Sequence, residues 1–111
     1  MFFVKKSKVD ISFNLVDKLV YSYFDYLRDN NIALTYKEIS ELFRYTICKL
    51  LDLETSCNSE ELLVYSSDLR GTLSEVVDFD SLMNKSLDYR QGFLEACVHC
   101  MEMSRKKVVG G

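Results

Sequence analysis

A chain of 111 residues with 48% hydrophobic content, seven tyrosines and seven phenylalanines can bury a core in one domain, which excludes the disordered class. It has no proline and only four glycines, two of them at positions 110 and 111, so turn residues are too few for a sandwich or barrel and helices are favoured. The net charge of −3 hides an asymmetry: residues 1–53 carry eight basic and seven acidic side chains, residues 54–111 six and ten.

Met1-Phe2-Phe3-Val4 is too short for the apolar region of a signal peptide, and Lys5, Lys6 and Lys8 follow it instead of preceding it. No run approaches the roughly 20 apolar residues needed to span a bilayer. The expectation is an unprocessed cytoplasmic protein. Its four cysteines do not suit a disulfide framework, because such scaffolds are richer in Cys and poorer in apolar residues.

Lys8-Val9-Asp10-Ile11-Ser12-Phe13 alternates, with Val9, Ile11 and Phe13 on one face, the period of a half-buried strand. A first helix is expected from Asn14 as N-cap, with Asp17 near its positive end. Its apolar stripe is Leu15, Val16, Leu19, Val20, Tyr23, Phe24 and Leu27, and Asp29-Asn30-Asn31 ends it. Thr35-Tyr36-Lys37-Glu38 is a capping box that opens a second helix to about Asp52, burying Ile39, Leu42, Phe43, Ile47 and Leu50. Asn58-Ser59-Glu60-Glu61 has the same form and starts a third helix through Gly71, with Leu62, Leu63, Leu69, Leu73, Val76 and Val77 inward. Asp78, Asp80 and Ser81 start a fourth, in which Leu82, Met83, Leu87, Leu94, Val98 and Met101 keep the helical period to about Lys107. The pattern predicts a mainly α fold of about four helices with one short N-terminal β-strand. Residues 1–107 read as one helical domain, divisible into 1–53 and an acidic 54–107, with 108–111 a flexible tail.

Chemistry-bearing motifs are sparse. Cys97-Val98-His99-Cys100 has C-x-x-C spacing, but zinc needs a second pair, and Cys48 and Cys57 do not supply one. Both members sit inside a helix, away from the N-terminus that would activate a redox thiol. His99 is the only histidine, and no nucleophile motif surrounds it. Glycine-rich phosphate loops are absent, and Glu60-Glu61 and Asp78/Asp80 stand where carboxylates stabilise helix starts. These features predict a protein without enzymatic activity, cofactor or metal.

The order strand, helix, helix over residues 7–53 resembles the ribbon-helix-helix family of dimeric DNA-binding regulators. That resemblance implies a homodimer whose paired strands enter the major groove. Lys6, Lys8, Asp10 and Ser12 would then meet DNA, the amides at Thr35 and Tyr36 would clamp a phosphate, and Val9, Ile11 and Phe13 would lie beneath the ribbon.

The other reading rests on charge. Between Glu54 and Glu95 nine acidic residues stand against Arg70, Lys85 and Arg90, so this stretch repels nucleic acid and attracts a basic protein, such as a nuclease. Glu60, Glu61, Asp68, Glu75, Asp78 and Asp80 are the candidate contacts, with Tyr65, Tyr21 and Tyr26 supplying interface area. This predicts a non-catalytic inhibitor of the immunity-protein, antitoxin or phage-antagonist type, with DNA binding as the alternative.

Overall fold

Helices of 15 to 17 residues are marginal on their own in water, so the apolar stripes read above must meet one another for the chain to fold. A computed structural model describes residues 12–108, and within them five helices do so. They are α1 (Phe13–Asp29), α2 (Tyr36–Leu50), α3 (Glu60–Ser74), the short α4 (Phe79–Met83) and α5 (Leu87–Val108). Among the described residues there is no strand. The mainly α architecture holds, and the expected strand over 8–13 lies outside the described residues except at its end. There Ser12 is the N-cap of α1, and Phe13 is its first residue, 72% exposed. The Val16 N–H reaches the Ser12 carbonyl at 3.2 Å, which places the helix start before Asn14. The expected cap at Asn14 is therefore corrected to Ser12.

α1 and α2 each pack against both α3 and α5, so neither half of the chain encloses its own core. One continuous cluster runs from Val16 to Met101. At its centre the fully buried ring of Tyr23 meets Phe43 edge-on, with ring centroids 4.6 Å apart. Its hydroxyl donates to the Ile39 carbonyl at 2.6 Å, satisfying the only polar atom the ring brings inside. Burial pushes the Tyr23 phenol far above its ordinary pKa, so it stays a donor. Phe79 of α4 meets Phe93 of α5 in the same edge-on manner at 6.5 Å.

The helix ends explain how the chain turns without glycine. After α1, Asn31 adopts φ 53°, while its N–H bonds Arg28 O and the Ile32 N–H bonds Leu27 O. After α2, Asp52 at φ 57° repeats the pattern, with Leu53 N–H on Cys48 O at 2.8 Å. Both are Schellman closures in which Asn and Asp, the residues that best tolerate the left-handed region after glycine, take the C′ position. The α2 end falls at Leu50 and not Asp52 for this reason.

Two further boundaries differ from expectation. Ser59, not Asn58, caps α3, its hydroxyl accepting from Leu62 N–H at 3.4 Å. The single fourth helix is two: α4 closes at Asn84, and a new start follows at Ser86, whose hydroxyl accepts from Tyr89 N–H at 3.1 Å. The new register turns Phe93, Cys97 and Met101 fully inward and leaves Met83 and Leu87 exposed. Arg90, on the first turns of α5, donates to the Leu51 carbonyl at 2.7 Å and so ties α5 to the end of α2.

Candidate functional site

The acidic residues singled out above all lie on α3, α4 and the corner between them, and all are exposed. Glu60 and Glu61 occupy the first turn of α3, where the helix dipole favours them. Asp68 sits at mid-helix, and Glu75 is the C-cap. Asp78 is the N-cap of α4, with Asp80 in its first turn. The Asp78 carboxylate takes the Ser81 hydroxyl at 2.8 Å and the Ser81 N–H at 3.3 Å, and these bonds hold its pKa below the usual carboxylate range. Among the described residues the ion pairs are those of Arg28 with Asp25 and Asp29, so none of the six acids is paired with a described cation. A 15-residue α-helix is about 22 Å long, so the six charges form a band and not a point.

The tyrosines divide. Tyr26 of α1 reaches Asp68 of α3, hydroxyl to carboxylate, at 3.4 Å. Desolvation first, then the Asp68 charge and bond and the nearby Tyr65, raise the Tyr26 phenol above its ordinary value. Tyr26, Asp68 and Tyr65 thus form one cluster across the α1/α3 junction. Tyr21 is 56% exposed.

For the DNA-reading set, Lys6, Lys8 and Asp10 lie outside the described residues. Ser12 stands at the N-cap of α1 without a side-chain capping bond, and Thr35 caps α2 with both bonds of the capping box formed. Within that box the Thr35 N–H is taken by Glu38 Oε1 at 2.9 Å, and Tyr36 follows as the first residue of α2. The Thr35 amide, one of the two expected to meet a phosphate, is therefore bonded to a carboxylate of its own helix.

Cys97 is fully buried, and burial with the nearby Cys100 pushes its thiol far above the ordinary range. Cys100 donates to Asp17 Oδ1 of α1 at 3.0 Å. Among the described residues no group of three or more His, Cys, Asp or Glu side chains could hold a metal, and His99 is exposed. No described helix is long and apolar enough to cross a membrane. A cleft of about 460 Å³ between α2 and the start of α3 is lined by Glu41, Arg44, Tyr45 and Cys57 among others, with no histidine in its walls.

One feature escaped the sequence reading: the outward side of α3. Leu63 and Val64 are 40% and 67% exposed there, and Gly71 is open to solvent. The sequence pattern carried this helix through Gly71 but set Leu63 on its inward face, and the structure corrects that: Leu62 takes the buried position and Leu63 the outward one, since one step along a helix turns the side chain by about 100°. Comparison with protein families, curated proteins and solved structures finds no match for this chain.

Proposed function

We propose that this protein is a non-catalytic acidic binding protein that covers a basic surface of another protein, as an inhibitor, immunity protein or antitoxin does. The carrying observation is the exposed band of Glu60, Glu61, Asp68, Glu75, Asp78 and Asp80, none of them in a described ion pair. Carboxylates exposed on one band project their field into solvent, which steers a basic partner and raises its association rate. The Tyr26 and Tyr65 rings beside Asp68 supply amphipathic contact area at the edge of the band. The ribbon-helix-helix alternative rests on the order of elements in the sequence, and one of its two clamp amides, at Thr35, is bonded to Glu38.

The test is stopped-flow association with a basic nuclease retained by the immobilised protein. The rate should fall as salt rises, and E60K/E61K/D78K/D80K should slow it about tenfold or more at low ionic strength. An association rate unchanged by this reversal refutes the reading. Retention on random duplex DNA at low salt, lost steeply as salt is added, would favour the alternative instead.

A further inference from the structure

We propose that the linker between α2 and α3, residues 51–59, is a docking strand that takes an extended basic segment of the partner protein along its α5-facing edge. The proposal rests on the reading of the protein as a binder of basic partners and gives that binding a surface and a mode. From Leu51 to Glu60 exposure alternates at every step: Leu51, Leu53, Thr55, Cys57 and Ser59 are buried or half-buried, and the residues between them are exposed. A period of two is that of a β-strand, and Ser59 at the end of the stretch has strand dihedrals, φ −96° and ψ 120°. The strand lies on helices and not in a sheet, with Leu53 and Cys57 packed against the core. Leu53 N–H on Cys48 O and Leu63 N–H on Ser59 O close its two ends. Between them, among the described residues, no N–H or C=O of residues 54–58 is bonded to another backbone group. Five consecutive residues thus hold the shape of a strand with its ladder bonds unmade, and such an edge is a template for a second strand.

The ground beside this edge specifies the occupant. A cleft of about 400 Å³ bounded by α2, the linker and α5 is lined by Cys48, Leu53, Leu87 and Leu94 among others. Leu87 is 52% exposed, an apolar side chain that the fold of the isolated chain leaves outside. A strand added about 4.8 Å from the linker sends every second side chain toward Leu87 and Leu94 and the others out to solvent. Apolar residues suit the first set. The second set faces the outward row of the linker, in which Asp52, Glu54 and Glu60 are charged and no cation occurs. Arg44 lines the cleft from α2 and is not part of that row. Side chains opposite one another in a strand pair interact directly, so this row selects lysine and arginine. A second copy offers, as its longest described extended stretch, the same acidic row, which brings three carboxylates and no cation in either strand direction.

The probe is an eight-residue peptide alternating lysine and valine, compared with a version carrying glutamate for lysine and with one N-methylated throughout, which has no backbone donors. Backbone amide shifts and hydrogen exchange of the isotope-labelled full chain report where and how it binds. The proposal expects shifts centred on residues 53–57 and 87–94 with the unmethylated lysine peptide only. Exchange should slow at every second amide of the linker, because alternate N–H groups of a strand point to the same edge. L87K and E54K should each weaken binding at least tenfold without lowering the thermal midpoint. Shifts centred elsewhere, linker exchange left unslowed, equal binding of the N-methylated peptide, or L87K binding as well as wild type each overturn it. So does a dimer in light scattering that L87K disperses, which would make a second copy the occupant. If L87K leaves nuclease association intact while E60K/E61K/D78K/D80K slows it, the docking strand fails and the acidic-binder reading stands.

Discussion

Replacing Gly71 with alanine should stabilise the free protein. Glycine in a helix interior is less favourable than alanine by roughly 0.5–1 kcal/mol, chiefly because it has more backbone freedom to lose on folding. Gly71 lies in the last turns of α3, where fraying reduces the benefit, so the lower part of that range applies. The new methyl group meets nothing within 4 Å and enters solvent, which adds neither overpacking nor a cavity. The expected gain is about 0.5 kcal/mol, or about 2–4 °C in thermal midpoint for a domain of this size. Urea titration followed by circular dichroism at 222 nm measures it, with the midpoint moving up and the slope unchanged. A loss of stability, or a change in slope, would show that glycine serves the folded chain itself and refute the reasoning.

Removing the α2 cap by Thr35→Ala should cost about 1 kcal/mol in the same titration, because the Glu38 amide loses its acceptor; no loss would mean that water replaces the hydroxyl. A disulfide reagent at pH 8 should modify the half-buried Cys57 first and Cys97 at the rate of unfolding, since Cys97 is fully buried with its thiol raised; equal rates would contradict that packing. Ser81→Ala should return the Asp78 carboxyl toward its ordinary range in an NMR titration. Because a depressed carboxyl stabilises the fold above its unfolded pKa and loses that contribution as pH falls through the folded one, the variant should also lose less stability on acidification. An unchanged Asp78 titration would show that the hydroxyl is not what holds it down.

The legible parts of the fold were those written in local chemistry. The Thr35/Glu38 box names both of its partners within four residues, and the α1 stripe recurs often enough to fix its face. The break between α4 and α5 was hidden because no glycine or proline marks it, and Leu87 and Leu94 continue a plausible period across it. Only the Ser86 cap, which looks like any surface serine, resets the register and brings Phe93 inward. The same limit explains the one-residue error at α3, where Asn58 and Ser59 are both good caps and local preference does not choose between them. For the candidate site, the acidic excess was visible as composition. Its arrangement, with Glu61 in the first turn of α3, Asp68 at mid-helix and Glu75 at the C-cap, depends on where that helix stops, and Val76 and Val77 continue the apolar period past its end at Ser74.

The dependence of α1 and α2 on α3 and α5 bears on how this chain is made. The first two helices emerge from the ribosome with Leu19, Val20, Leu42 and Ile47 turned toward helices that do not yet exist, and the final helix brings Phe93, Cys97 and Met101 to them. At translation rates of 5–20 residues per second the gap between Leu51 and Met101 lasts roughly 3–10 s, far longer than helix formation. During that interval the nascent hairpin presents an open apolar face to chaperones and proteases. Premature termination before α5 therefore yields a degradation substrate and not a smaller working protein.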